Sequence, residues 1–247
     1  MGLPLSTMLP AETPDALLSL ANKLSADDAL GFLLSGGCGA DGAVPLGGFS
    51  DAIRSIKDAT DLKINAHVGY PRREAVDRLV DSGIDAFSVT FPMSDEIGKR
   101  YLGIDDALSR YEETSQGLRD LGARVVPHAL IGLGVQDEDV AGLSALASYS
   151  PKSVVVIVFI PLRGTPLSAA PAVPDARIVE TLAFARSAMQ HANLVLGCMR
   201  PRGKIEMEAR LIEGSLDGIV MPSTAALRAV SGKVALERFE GCCALYL

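Results

Sequence analysis

The sequence predicts an α/β fold, a parallel (β/α) barrel like the eight-stranded TIM barrel but incomplete and missing its first strand. Two observations carry this. Seven apolar runs each end in small, glycine-bearing or polar residues: GFLLSGGCG at 31–39, LKINAHVG at 62–69, IDAFSVTF at 84–91, ARVVPHALIGLG at 123–134, SVVVIVFIPLRGTP at 153–166, ANLVLGCMRPRG at 192–203 and LDGIVMPS at 216–223. Parallel strands buried on both faces read as such near-continuous apolar runs. Each run then gives way to a helix-compatible stretch, and strands alternating with helices build a parallel sheet covered by helices. A helix precedes the first run, so an eight-stranded closure would need one more strand upstream.

Taken in order, TPDALLSLANKLSADDA opens the chain's first helix, with Thr13 as N-cap, Pro14 in the first turn and leucines at helical spacing. Further helices are predicted over about 47–60, 72–82, 104–121, 137–149, 175–191 and 204–213. The Pro- and Ala-rich stretch GTPLSAAPAVPD reads as a loop. The 247 residues, 48% hydrophobic, suit a single domain over 1–247. A net charge of −7 leaves no basic face for nucleic acid or an anionic membrane. The longest apolar run, 154–162, is too short to span a bilayer, and MGLPLSTMLPAETP lacks the regions of a signal peptide. A cytoplasmic location is the expectation, in which the four cysteines are free thiols or metal ligands rather than disulfides.

Six motifs taken together, LLSGGCGADGAVPL, LKINAHVGY, VVPHALIGLG, FIPLRGTPL, GCMRPRG and DGIVMPS, occur in the order and spacing of one superfamily. From Ser6 onward the chain resembles the radical S-adenosylmethionine (SAM) enzymes, in the biotin synthase-like branch that includes the subunits of the archaeal-type two-component lipoyl synthase. The resemblance implies cofactor-binding roles. Ser35, Gly36 and Gly37 match the Gly-Gly turn whose backbone meets the methionyl amino group of SAM, a place where a Cβ would obstruct the ligand. Ile131, Gly132, Leu133 and Gly134 match the segment that lies against the adenine. Pro161, Gly164, Thr165 and Pro166 match the GTP-containing loop of biotin synthase relatives, which makes Thr165 a substrate-binding candidate.

One departure from the family pattern outweighs these matches. The defining CxxxCxxC loop, which holds a four-iron, four-sulfur cluster whose open iron binds SAM, has no counterpart among Cys38, Cys198, Cys242 and Cys243. The segment LPLSTMLPAETP resembles the stretch after that loop, so the chain reads as beginning just past it. As written, the sequence is not expected to cleave SAM reductively on its own, and its SAM affinity is expected to be weak.

The remaining candidates each carry an alternative. Cys38 and Cys198 follow strands and are candidate metal ligands, although two cysteines fall short of four and ordinary thiols are common. Cys242 and Cys243, too close in sequence for easy joint ligation of one metal, read as a partly buried terminal segment, with the alternative that they supplement Cys38 and Cys198 if the tail folds over the mouth. Asn65 and His67, two residues apart on one strand face, and His128 at a strand end form a hydrogen-bonding or proton-transferring candidate set for substrate, or else a satisfied core. Arg200 and Arg202 suit a carboxylate or phosphate of a substrate, with pairing to Glu206 or Glu208 as the alternative. His191 is expected at a helix C-terminus, and DEIGKRYLGIDDA and Glu112–Glu113 as solvated helix faces.

Two functions follow. The first is a radical SAM enzyme of cofactor biosynthesis, of the sulfur-insertion class, whose cluster comes from upstream sequence or a partner. The second is a cluster-less subunit that binds SAM or another small ligand beside a partner subunit or through self-association. An aldolase-like barrel is weaker, because the one strand lysine, Lys63, opens its strand. Cys38, Asn65, His67, Gly132 and Cys198 are expected on one mouth.

Overall fold

The computed structural model describes residues 8–246. Its seven strands, β1 (Gly31–Leu34), β2 (Lys63–His67), β3 (Ala86–Phe91), β4 (Val125–Ile131), β5 (Ser153–Val158), β6 (Asn193–Leu196) and β7 (Gly218–Ile219), form one sheet in sequential order. Every neighbouring pair is parallel. Among the described residues β1 and β7 do not pair, so the sheet is a curled, incomplete barrel. Residues 1–7, which include Ser6 and part of LPLSTMLPAETP, lie outside the described residues.

The helices are α1 (Pro14–Ala26), α2 (Ser50–Ala59), α3 (Arg73–Asp81), α4 (Asp95–Ile97), α5 (Ala107–Asp120), α6 (Gln136–Ser148), α7 (Asp175–Ala188), α8 (Ile205–Gly214), α9 (Thr224–Val230) and α10 (Cys243–Tyr246). Thr13 caps α1 as the sequence indicates, its hydroxyl accepting from the Ala16 amide at 3.2 Å. The strand period of two separates two cores. Ile64, Phe87, Val89, Ile131, Val154 and Leu196 belong to the large core that the strands share with the helices, reaching Ile53, Leu79, Leu143 and Leu182. Ala86, Val126, Val155 and Val195 form a second, smaller core on the opposite sheet face, and its fifth buried member is Ala244 from α10. The C-terminal segment therefore fills the barrel interior.

Three differences from the sequence reading have local causes. The helix expected from residue 104 starts at Ala107, where the Asp95 carboxylate reaches across to accept from the Leu108 amide at 2.9 Å. The stretch expected as a solvated helix is the short α4 and a π turn, Gly98–Leu102, and it buries Ile97 and Ile104. Helix α7 ends at Ala188 rather than His191, because Arg186 in its last turn donates to the Ala192 and Ser215 carbonyls and pairs with Asp217. That arginine takes the C-terminal position expected of His191.

One turn sets the rim. After β2 the chain pairs back onto the β1 loop through an antiparallel bridge, Ala43 to Gly69, with the Tyr70 amide donating to the Gly42 carbonyl at 3.0 Å. Gly69 has φ +62°, and a Cβ there would stand 2.1 Å from the Gly42 oxygen, so only glycine closes this turn.

Candidate functional site

The interior of the barrel holds a polar group among apolar neighbours. Asn65 on β2 is fully buried; its Oδ1 accepts from the Ser88 hydroxyl at 2.8 Å and its Nδ2 donates to Cys242 Sγ at 3.2 Å. His67, two residues on, meets His128 of β4 edge to face with ring centroids 4.5 Å apart. His128 Nδ1 lies 3.1 Å from the Val126 carbonyl, which can only accept, so Nδ1 carries the proton. Its Nε2 then presents a lone pair toward Cys243 Sγ, 4.0 Å away. The two candidate histidines and Asn65 do come together, and the sulfurs that join them are the two cysteines nearest the C-terminus.

Both imidazoles are neutral in the fold. Burial lowers His67 to about 4, and burial together with the neighbouring His67 lowers His128 to about 3. The unfolded chain protonates each near 6.5, so between that value and the folded values the unfolded state binds more protons and stability falls as pH falls. The slope is up to about 1.4 kcal/mol per pH unit for each imidazole. Urea unfolding between pH 7 and 4.5 is expected to show this loss, and His128→Gln to flatten it; an unchanged slope in the variant would place the titration elsewhere.

The tail sulfurs are in contact, Cys242 Sγ to Cys243 Sγ 4.0 Å. The hydrogen bond from Cys243, helped by Asn65, lowers the Cys242 thiol below its ordinary value, and the same contact and burial raise Cys243. The pair is the partly buried terminal segment that the sequence indicates, but it joins Asn65 and His128 inside the barrel rather than Cys38 and Cys198 on the rim. The adjacency of two cysteines within GCCALYL was the available signal, but no periodicity said where that segment packs.

The rim is built by the loops that follow parallel strands, so they share one end of the barrel. Gly36 and Gly37 are exposed, and a Cβ on Gly37 would meet open space, which leaves that backbone approachable. The 131–134 segment is tied down from within. The Gly132 amide donates to both oxygens of buried Asp139 at 3.0 and 3.1 Å, and Arg177 pairs with that carboxylate at 2.5 Å. The Leu133 carbonyl accepts from the Tyr101 hydroxyl and that of Gly134 from Arg177. Gly132 has φ +91°, and a Cβ there would lie 2.3 Å from Val173, so packing against the chain itself demands that glycine, while one on Gly134 would meet only the movable carboxylate end of Glu138. The Thr165 hydroxyl donates to the Leu162 carbonyl at 2.7 Å.

Arg200 corrects the ligand-facing expectation. It is 0% exposed, pairs with equally buried Glu208 at 2.9 Å, and donates to the carbonyls of Gly197, Val220 and Met221. Charged groups this buried must be paired, and Arg200 takes the Glu208 partnership that the sequence allowed as its alternative. Exposed Arg202 also braces the rim, donating to Met221 and Cys198 carbonyls at 2.9 and 2.7 Å. Met221 stands 74% exposed with a left-handed φ of +47°, held by these two guanidinium groups.

Cys38 and Cys198 are exposed on this rim. Among the described residues no group of three or more His, Cys, Asp or Glu side chains is placed to hold a metal ion. The residues present do not fit an iron–sulfur cluster of the usual three- or four-thiolate kind. For SAM the fit is partial: the 35–37 backbone is open, whereas the carbonyls at 133 and 134 are taken.

No family model matches the chain. It is 28% identical over 166 residues to the biotin synthase of Chlorobium phaeovibrioides, which covers 67% of this chain and 50% of that protein. The chain thus spans about half the length of the curated relatives it matches. Among solved structures it resembles HydG, a maturase of the FeFe-hydrogenase, with a TM-score of 0.68 at 15% identity over 87% of this chain and 50% of that one. It also resembles methylornithine synthase (PylB), TM-score 0.64 at 14% identity over 92% and 68%. These structural likenesses bear on the fold, that of an incomplete barrel, and the sequence likeness is to biotin synthases over about two thirds of this chain.

Proposed function

We propose, from this relationship, that the chain is the barrel part of a radical SAM protein of cofactor biosynthesis, of the biotin or lipoyl type, with cluster chemistry supplied by residues outside this sequence. The carrying observation is the sequence match to biotin synthase, which extends over two thirds of this chain and takes in no CxxxCxxC. In this reading the 35–37 turn receives the amino group of SAM, the 131–134 segment packs the adenine, and the interior around Asn65, His67 and His128 faces the substrate. An upstream segment or a partner subunit brings the thiolates, and Leu162, Met199 and Met221, exposed after β5, β6 and β7, offer apolar rim for a ligand or that partner.

A second reading, a non-catalytic subunit that binds SAM or another small ligand beside a partner, is favoured by the tail that already occupies the interior. Calorimetry tests the proposal. In the family the cluster iron anchors the amino and carboxylate groups of SAM; without it there remain backbone hydrogen bonds of roughly 0.5–1.5 kcal/mol each. Loss of about 3 kcal/mol weakens binding by more than roughly a hundredfold. The chain alone is expected to bind SAM near the millimolar range and to carry no stoichiometric iron when purified anaerobically, and to bind tightly once joined to a CxxxCxxC segment. A low-micromolar isotherm from the chain alone would refute the borrowed-cluster proposal and support the second reading.

A further inference from the structure

We infer that Cys242 is a site of thiol–disulfide exchange with small disulfides, built into the barrel interior by Asn65 and Cys243. The thiolate is the reacting form of cysteine, so a site for this chemistry needs donors aimed at one sulfur and a route to solvent. Cys242 has both. Its sulfur receives an N–H from Asn65 at 3.2 Å, and the Asn65 amide is fixed by the Ser88 hydroxyl on its other side. The Cys243 sulfur, 4.0 Å away, is within reach to donate once Cys242 is a thiolate, since a thiolate can only accept, and Cys242 remains half-buried rather than sealed.

The other thiols lack this arrangement. Cys38 is exposed, but burial of its sulfur and the Asp41 carboxylate raise it. Cys243 keeps its proton because its hydrogen bond with the Cys242 sulfur and its burial disfavour a second thiolate, and its sulfur lies 4.0 Å from both Cys242 Sγ and His128 Nε2.

The exchange balances without further reagents. The Cys242 thiolate attacks one sulfur of the small disulfide, the new S–S bond forms as the old one breaks, and the departing thiolate takes a proton from solvent at neutral pH. Cys243 is poorly placed to resolve the adduct. Adjacent Cα atoms lie about 3.8 Å apart, short of the roughly 4.4–6.8 Å that unstrained disulfides span. The mixed disulfide is therefore the end product.

Stopped-flow reaction of the reduced full chain with dithionitrobenzoate at pH 6.5, with the adduct mapped by mass spectrometry, tests this. One thiol per chain is expected to react at least tenfold faster than the same chain's thiols in denaturant, and the label is expected on Cys242. Cys242→Ser should abolish the fast phase, and Asn65→Leu, which removes the N–H donor at similar volume, should slow it at least tenfold. Labelling of Cys38 or Cys198 first, a fast phase that survives Cys242→Ser, or accumulation of a Cys242–Cys243 disulfide would overturn the inference.

Discussion

Replacing Arg200 by methionine is expected to cost about 3–5 kcal/mol of stability, because it leaves the Glu208 carboxylate charged and unpaired in a site without solvent. The loss spreads through a whole corner. Arg200 and Glu208 together tie the loop after β6 to α8 and to the turn after β7, where the Ser223 amide donates to Glu208 at 2.8 Å and the Met221 carbonyl accepts from Arg200. Urea unfolding reads the loss directly, and two controls separate charge from packing. An Arg200→Met/Glu208→Met double variant should recover more than half of it, since apolar replacement of a buried pair is often neutral. Lowering the pH should narrow the gap between wild type and Arg200→Met. The native Glu208, held below the usual carboxylate range against its burial by the Ser223 and Arg200 hydrogen bonds, contributes stability that is lost as pH falls. The unpaired Glu208 of the variant, raised by burial, regains stability as it protonates. A gap that stays constant with pH, or a loss under about 1 kcal/mol, would mean the pair is not closed in solution.

The second large effect is expected in the tail. Ala244 is 0% exposed, packed against Ala86, Val126, Val155 and Val195, and Ala244→Asp would put a carboxylate with no partner among them. Such burial costs several kcal/mol, more than a four-residue helix with a few apolar contacts returns. The tail should leave the barrel while the helix-side core, which contains no residue after Leu211 among its buried members, stays intact. Hydrogen exchange at the Leu245 amide, bonded to the Cys242 carbonyl at 2.9 Å, should rise at least a hundredfold, while the β4 and β5 amides keep their protection. Equal loosening in both places would show that the tail holds the whole fold together.

The strands were legible because both faces of a parallel sheet are dry, so each left an apolar run whose end marked the rim. Most of the expected helix ends were legible to within a residue or two; α2 starts later because a 3-10 turn, Gly47–Phe49, precedes it, α5 because Asp95 caps it from a distance, and α9 was not anticipated. The site was legible only where a residue's position on a strand fixes its direction: Asn65, His67 and His128 do share one interior. Arg200 was not legible in the same way. A guanidinium in a Pro- and Gly-containing loop has one sequence whether it meets a ligand or a buried carboxylate, and the partner eight residues away decides. Gly132 poses the same ambiguity, since a missing side chain admits a ligand or a neighbouring chain segment alike, and here Val173 claims the space.

The seating of α10 inside the barrel makes the tail a tethered competitor for anything that would enter there. It is joined to α9 by the short stretch 231–242, so it faces its own pocket at an effective concentration on the order of millimolar, however dilute the protein. An incoming molecule meets an apparent affinity equal to its intrinsic affinity multiplied by the fraction of chains whose interior is vacant. If that fraction is about one in a hundred, the entrant gives up about 2.7 kcal/mol, and a second protein that grips the released tail returns it. Occupancy of the interior is then set by whatever else binds residues 241–246.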